Sequence, residues 1–193
     1  MRKAESETQR RRRRRRRRIQ IIIIYTAIAV GLAWFFESQA TTTVIFVRHA
    51  EKAQEPAGDP GLSPAGKRRV AELTRQLKDA DVIAGIDAVY ATPYRRTEET
   101  ARPIAEALDL PVHSYDAADT EAIMEHIVRE HKGKIILVVG HSNTLPALMG
   151  NMGASKRVPP IAENEYDNIY IVSIPWFGKT KTIRLRYGEP YVP

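Results

Sequence analysis

The strongest constraint on the fold is an alternation of short apolar runs with segments of helical spacing, which fills most of the chain. The runs 43–47 (TVIFV), 86–92 (IDAVYAT) and 134–140 (KIILVVG) are rich in β-branched residues and predict strands covered on both faces. Two further runs, 168–174 and 179–187, predict closing strands, and the second alternates like an edge strand. The pattern predicts a three-layer α/β/α sandwich with a largely parallel sheet and an antiparallel edge.

Helical spacing appears between these strands, at 64–80, 94–108, 119–131 and from 142 onwards. Ser63 and Pro64 are an N-cap and a first-turn proline at the start of the first helix. Pro103 predicts a kink or an end within the second helix. Asp119 is the expected cap of the third.

The beginning of the chain has a different character. Nine arginines at 10–18 are followed by 18 uncharged, mostly apolar residues at 19–36, which as a helix are about 27 Å long, close to a hydrocarbon core of about 30 Å. Aromatic residues close this segment, as is typical of a membrane interface. The pattern predicts a single-pass signal anchor, with residues 1–18 as a cytoplasmic tail and the domain at 43–193 outside, in the periplasm or another extracytoplasmic space.

Two other interpretations of this segment were weighed. Cleavage of a signal peptide near Ala40, after the small residues of Ser38-Gln39-Ala40, competes with anchorage, although the apolar region is longer than that of a signal peptide. A buried core helix would not require the arginine block. We therefore expect an intact anchor joined to the domain by a polar linker at 37–42.

The positive charge of the chain is confined to its tail. The formal net charge is +7, but residues 1–18 hold 11 basic and 2 acidic residues, which leaves 19 basic and 21 acidic residues elsewhere. The folded part is therefore slightly acidic, and no nucleic-acid partner is expected, because the arginine run adjoins a membrane segment and favours anionic lipid. The chain has no cysteine, which excludes disulfides and thiolate zinc sites.

Cationic and imidazole side chains follow three of the predicted strands. Arg48 and His49 come directly after 43–47, Arg95 and Arg96 follow 86–92, and His141 follows 134–140. Ligands of such sheets bind beyond the carboxyl ends of the strands, so we expect these groups to meet there. Arginine pairs with phosphate oxygens at two points, and histidine attacks phosphorus or donates to it.

The segment after His141 adds to this expectation. A helix beginning at 142–144 would present free backbone N–H groups and the positive end of its dipole to an anion. Ser142 and Asn143 are therefore further candidates for phosphate binding. Together these features predict a phosphoryl site.

Four ordered motifs carry a resemblance to a known family. VRHAEK, DPGLSPAGKRRVAEL, YATPYRRTEETA and VVGHSNT together resemble the histidine phosphatase superfamily, with its phosphoglycerate-mutase-like fold, over residues 43–174. The chain looks like a small bacterial-type member with an N-terminal membrane anchor. The signature of the superfamily is Arg-His-Gly, and in this chain Ala50 stands in place of the glycine.

The resemblance implies a phosphoric monoester hydrolase in which His49 is the nucleophile and Arg48, Arg96 and His141 complete the phosphate pocket. It places the second arginine at Arg96 rather than Arg95, because the family's arginine precedes a segment ending in Thr-Ala. The implied reaction passes through a phosphohistidine and uses neither metal nor cofactor, since the cationic side chains supply the charge.

The proton donor to the leaving group is less well defined. One branch of the superfamily has an Asp directly after the second histidine, but this chain has Ser142. Asp116 is the candidate acid, with a structural role as the alternative. Leaving groups of low pKa, such as the imidazole of phosphohistidine, need no strong acid.

Three alternatives for function were considered. A phospho-ligand binding module tethered to the membrane, without turnover, remains open. A serine hydrolase using Ser142 in GHSNT is disfavoured, because Thr144 replaces the last glycine of the nucleophile elbow and no histidine follows His141. A mutase is disfavoured by the short segment after the first motif. The expected partners are phosphorylated small molecules or phosphoproteins, including phosphohistidine.

Overall fold

The computed structural model describes residues 2–38, 41–79, 85–154 and 158–192, with side chains in the first segment described for 11–36. The chain forms two compact units, Met1–Gln39 and Ala40–Pro193. Two earlier predictions lie outside the described residues: the cleavage site at Gln39 and Ala40, and Ala80 at the end of the first helix of the domain.

The N-terminal unit is one helix, α1, Arg2–Ser38. It runs through the arginine block without a break, so the predicted tail and the predicted span are one continuous helix. The stretch Arg11–Phe36 is long and apolar enough to cross a membrane, and it is the one such stretch within the part of the chain that the structure describes. Its large apolar side chains, among them Ile22 and Trp34, are exposed.

The second unit is built on one six-stranded sheet, whose strands are β1 Thr41–Arg48, β2 Ala88–Ala91, β3 Val112–Ser114, β4 Ile135–Gly140, β5 Asn168–Pro175 and β6 Lys181–Arg186. Their order across the sheet is β3-β2-β4-β1-β5-β6. Strands β3, β2, β4 and β1 pair in parallel, whereas β5 pairs antiparallel with β1 on one side and with β6 on the other. The predicted largely parallel sheet with an antiparallel edge is confirmed, and β3 is an additional strand.

Helices cover both faces of the sheet: α2 Pro64–Asp79, α3 Arg95–Ala107, α4 Thr120–Glu130 and α5 Leu145–Asn151. Successive side chains of a strand point to opposite faces. In β4, Leu137 and Val139 therefore pack in the cluster of α2 and α3, and Ile136 and Val138 pack in the cluster of α4 and α5. Burial of both faces explains why the strand is apolar at every position.

Local details of the helices can be compared with these expectations. Pro103 lies inside α3, which continues to Ala107, so it does not end the helix. The helix expected to start at 142–144 begins at Leu145 with Thr144 as its N-cap, and the N–H groups of Thr144 and Leu145 both donate to the carbonyl of His141, at 3.1 and 2.9 Å. The expected cap is present: Asp119 accepts a hydrogen bond from the N–H of Ala122 at 3.0 Å.

Candidate active site

The two site histidines follow neighbouring parallel strands. Arg48 is in register with Gly140, and the N–H of His49 donates to the carbonyl of Gly140 at 3.0 Å. The chain therefore leaves β1 and β4 at the same edge of the sheet. The ring centroids of His49 and His141 lie 5.3 Å apart, and both residues are buried.

The second arginine comes from the first turn of α3. The side chain of Arg96 is 17% exposed, and its Nη2 lies 3.5 Å from His141 Nδ1. The side chain of Arg95 is 55% exposed and pairs with Glu99 at 3.3 Å. The structure thus brings Arg96, rather than Arg95, beside the histidines.

The guanidinium of Arg48 is fixed by the loop that precedes β5. Its Nη1 donates to the carbonyls of Ala162 at 2.9 Å and Glu165 at 3.0 Å, and its central carbon lies 4.1 Å from the ring centroid of Tyr166. Arg186 ties this loop to β6, because it pairs with Asp167 at 2.7 Å and with Glu165 at 3.1 Å. Buried Arg48 Nε forms no hydrogen bond to another described group.

The tautomer of His49 follows from its hydrogen bond. Its Nδ1 lies 2.8 Å from the carbonyl oxygen of Ala50. A carbonyl only accepts, so Nδ1 carries the proton and Nε2 keeps its lone pair. Burial lowers the pKa of His49 to about 3, aided by the charges of Arg48, His141 and Arg96, while the bond to Ala50 acts in the opposite direction. The imidazole is therefore neutral at pH 7, as a nucleophile must be.

A chain of hydroxyls fixes His141 in the same way. Its Nε2 lies 2.9 Å from Thr92 Oγ1, which lies 2.8 Å from Thr97 Oγ1. Thr97 uses its own proton on the carbonyls of Thr92 and Tyr94, at 2.8 and 2.7 Å, so Thr92 donates to Thr97 and accepts from Nε2–H of His141.

The remaining ring nitrogen of His141, Nδ1, therefore faces Arg96 as an acceptor. The pKa of His141 is lowered to about 4, mainly by burial and next by repulsion from Arg96 and Arg48. The dianionic charge of a bound phosphoryl group would oppose this shift and favour the protonated, donating form.

Asp59 is a residue that sequence reasoning missed. Its carboxylate accepts from the N–H of Arg95 at 3.0 Å and lies 3.7 Å from Arg96 Nη1. The guanidinium of Arg96 also lies 4.5 Å from the ring centroid of Tyr94. Asp59 therefore positions both the start of α3 and the Arg96 side chain.

The other predicted site residues lie at the same edge with different surroundings. Ser142 is half-buried and Asn143 is exposed, both in the turn after His141. Asp116 is exposed, and its Oδ1 accepts from the N–H of Ala118 at 2.9 Å. Among the described residues, no group of three or more His, Asp or Glu side chains is arranged to hold a metal ion.

Comparison with known proteins agrees with this geometry. The model of the histidine phosphatase superfamily (branch 1) matches residues 44–119, which include three of the four site residues. Phosphoserine phosphatase 1 of Hydrogenobacter thermophilus is 38% identical over 79 residues, which are 38% of this chain and 36% of that protein. The chain thus matches this curated relative over about a third of the relative's length.

Solved structures extend the likeness to the whole domain. The protein histidine phosphatase SixA complexed with tungstate has a TM-score of 0.61 at 20% identity, over 75% of this chain and 96% of that one. A mutant phosphoserine phosphatase of Entamoeba histolytica in complex with phosphoserine has a TM-score of 0.54 at 14% identity, over 76% and 96%. These identities show a shared fold. The family-model match over residues 44–119 confirms the resemblance to the histidine phosphatase superfamily that the motifs indicated.

Proposed function

We propose that this chain is a phosphatase that transfers a phosphoryl group from its substrate to Nε2 of His49 and then to water. The observation that carries the proposal is the state of His49. Its imidazole is buried and neutral, its proton is held on Nδ1 by Ala50, and two guanidiniums and a second imidazole surround it. These features are those expected of a reactive histidine and not of an ordinary histidine on the surface.

The cationic groups supply binding and charge stabilisation. Arg48, Arg96 and His141 surround the phosphoryl oxygens, and their N–H groups match those oxygens in charge-assisted hydrogen bonds. Nε2 of His49 attacks phosphorus as the bond to the leaving oxygen or nitrogen breaks in line. Water then attacks the phosphohistidine, phosphate departs and the neutral imidazole is restored.

The substrate class follows from the leaving group. Among the described residues, no carboxylate forms a hydrogen bond or ion pair with His49 or His141, and Asp116 is engaged in a local turn. Reactions whose leaving group needs little protonation are therefore favoured, such as hydrolysis of a phosphohistidine. The related SixA is described as a protein histidine phosphatase, which supports the same direction. Phosphomonoesters are the second substrate class.

We further propose that residues 19–36 anchor the chain in a membrane, with the arginine block cytoplasmic and the phosphatase domain outside. The support is a single uninterrupted helix, exposed apolar side chains along it, and basic residues at one end. The positive-inside rule then sets the orientation.

Turnover by the full chain, in detergent or vesicles, tests the catalytic proposal. We expect hydrolysis of phosphohistidine or small phosphate monoesters by the native chain, loss of activity in His49→Ala, and retained activity in Ser142→Ala. Activity that disappears only in Ser142→Ala would indicate a serine hydrolase. Tight phosphate-ligand binding without turnover in the native chain would indicate a binding module.

A further inference from the structure

The turn between β5 and β6 exposes two adjacent aromatic side chains. Trp176 is 71% and Phe177 is 90% exposed, and Gly178 follows at a φ of +120°, which a hairpin turn of this shape requires. Thr180 donates to the carbonyl of Met152 at 3.2 Å and holds the base of the turn. Aromatic rings presented to solvent on a fixed turn are typical of membrane–water interfaces.

The position of this turn within the domain is informative. Pro175 is in register with Thr41, so the turn lies beyond the amino end of β1, where the chain enters the domain. In the sequence, only residues 37–40 separate Thr41 from the end of the apolar stretch at Phe36. In the sequence, this end of the sheet is therefore the part of the domain that adjoins the apolar stretch.

Lysines surround the aromatic turn at the same end of the sheet. Lys179 and Lys181 flank the turn and are exposed. Exposed Lys132 and Lys134 precede β4, and the carbonyl of Lys134 accepts from the N–H of Thr43 in β1 at 2.9 Å.

Two carboxylates also belong to this end of the sheet. Asp87 accepts from the N–H of Ile135 at 2.8 Å, and Glu130 pairs with Arg129 at 2.7 Å. The lysines therefore leave a local positive excess on a domain that is slightly acidic overall.

We propose that this basic and aromatic rim, formed by Trp176, Phe177, Lys179, Lys181, Lys132 and Lys134, docks on the surface of an anionic phospholipid bilayer. The inference rests on the proposed membrane anchorage and adds a second contact to it. The aromatic rings enter the headgroup layer, and the lysines pair with lipid phosphates.

Docking of the rim sets the direction of the active site. β1 runs from the rim at Thr41 to Arg48 and His49, and eight residues of strand span about 26 Å. The pocket therefore opens on the side away from the bilayer. A water-soluble phosphorylated molecule or protein reaches it, whereas the headgroup phosphate of a lipid in the same bilayer does not.

The two tryptophans of the chain provide the test, because Trp34 lies in the apolar helix and Trp176 lies in the rim. The full chain is reconstituted in vesicles of phosphatidylcholine and phosphatidylglycerol as Trp34→Phe, which leaves Trp176, and as Trp176→Phe, which leaves Trp34. Circular dichroism of both variants checks that they are folded. We expect brominated phospholipids to quench both tryptophans and acrylamide to quench neither efficiently.

The other outcomes distinguish failure of rim docking from failure of the membrane anchorage. Quenching of Trp34 by brominated lipid with Trp176 open to acrylamide would overturn rim docking and leave the anchor standing. Trp176 shielded from acrylamide but not quenched by brominated lipid would indicate a protein contact and also overturn it. Absence of lipid quenching for both residues would overturn the anchorage, and rim docking with it.

Charge reversal provides a matched control. In the Trp34→Phe background, Lys179→Glu should weaken lipid quenching of Trp176. Each lysine near an anionic surface changes the ratio of docked to undocked protein by about fivefold. Lys67→Glu, an exposed lysine on α2, should leave the quenching unchanged. Equal effects of the two substitutions would contradict a specific role of the rim.

The same vesicles test the direction of the pocket. A soluble phosphate ester or phosphohistidine peptide should be hydrolysed, and phosphatidic acid in the bilayer should not. Faster hydrolysis of phosphatidic acid than of the soluble substrate would contradict the docked orientation.

Discussion

The five histidines of the chain form two groups that differ in almost every physical respect. His49 and His141 are buried between two arginines, and a carbonyl and a threonine hydroxyl fix the proton on each ring. His113, His126 and His131 instead surround Tyr90, with ring centroids 5.1, 6.2 and 5.8 Å from the tyrosine ring. His113 and His126 are exposed, and His131 Nε2 lies 2.9 Å from the Tyr90 hydroxyl.

The difference between the two groups lies in the surroundings of the imidazoles rather than in their number. The second group holds three imidazoles against two, but among the described residues no arginine contacts its rings, and its members border solvent. The first group combines burial, fixed protons and flanking positive charge, the features that the proposed role of His49 as a nucleophile beside an anion pocket requires.

Removal of the proposed nucleophile, His49, should have the largest effect. We expect His49→Ala to reduce kcat/KM by at least about 10⁴-fold, because the covalent route is lost and only binding and charge stabilisation remain. Steady-state hydrolysis measures the effect. His126→Ala is the matched control from the second group, and a comparable loss there would erase the distinction between the groups.

The next effect comes from the arginine of α3. Arg96→Gln should lower kcat/KM by roughly 10²- to 10³-fold, as expected for loss of one fixed donor to developing charge. Arg95→Gln should change it by less than about threefold, because that side chain is exposed and pairs only with Glu99. Equal losses in the two variants would show that proximity to His141 is not what matters.

Stability should depend on pH through the site histidines. The folded pKa of His49 is about 3 against 6.5 in an unfolded chain, so the unfolded state binds more protons between these values. The contribution of neutral His49 to the free energy of unfolding is therefore complete above pH 6.5 and is lost as the pH falls towards 3. At pH 5 His49 alone should have lost about 2 kcal/mol of unfolding free energy.

Chemical denaturation at pH 7 and pH 5 measures this loss. His49→Gln cannot bind the proton, so its unfolding free energy should fall by about 2 kcal/mol less than that of the native chain. An unchanged pH dependence in the variant would show that His49 is not held neutral by its surroundings.

Loss of the hydroxyl relay should have a moderate effect. Thr92→Val removes the acceptor of His141 Nε2–H, so the ring is no longer held in the tautomer that faces Arg96. We expect about a tenfold lower kcat with KM changed less, and partial recovery in Thr92→Ser. A loss of stability with unchanged kcat would indicate a purely structural hydroxyl.

The smallest effect should come from the second group. His131→Ala leaves the Tyr90 hydroxyl without its partner, and the unfolding free energy should fall by about 1 kcal/mol. Its kcat/KM should stay within about twofold of the native value. A large catalytic defect in this correctly folded variant would mean that the cluster around Tyr90 takes part in function.

Much of the fold was predictable because it depends on local patterns. Continuous apolar runs marked β1 and β4, and the motifs at their ends brought Arg48, His49 and His141 to one edge. β3 escaped prediction because its three residues, Val112–Ser114, are too few to show a period. The exact start of α5 at Leu145 was not predictable, because the turn before it depends on hydrogen bonds to the carbonyl of His141.

The parts of the site that could not be predicted depend on distant contacts. Arg48 is held by the carbonyls of Ala162 and Glu165, more than 110 positions away in the chain. The loop that carries these carbonyls has no periodic pattern, and backbone acceptors leave no trace in side-chain identity. The segment YATPYRRTEET contains Thr92 and Thr97 close together, which only weakly indicates that they pair. Their hydrogen bonding as a chain depends on His141, 49 positions beyond Thr92.

The most direct measurement is to trap the covalent intermediate. The full chain is mixed with a ³²P-labelled phosphohistidine peptide or phosphate monoester, quenched in alkali within the first turnover, and digested. We predict label that is stable to alkali and labile to acid, on the peptide that contains His49, and no label in His49→Ala. Rapid turnover without label, or an acid-stable label on the peptide that contains Ser142, would contradict it.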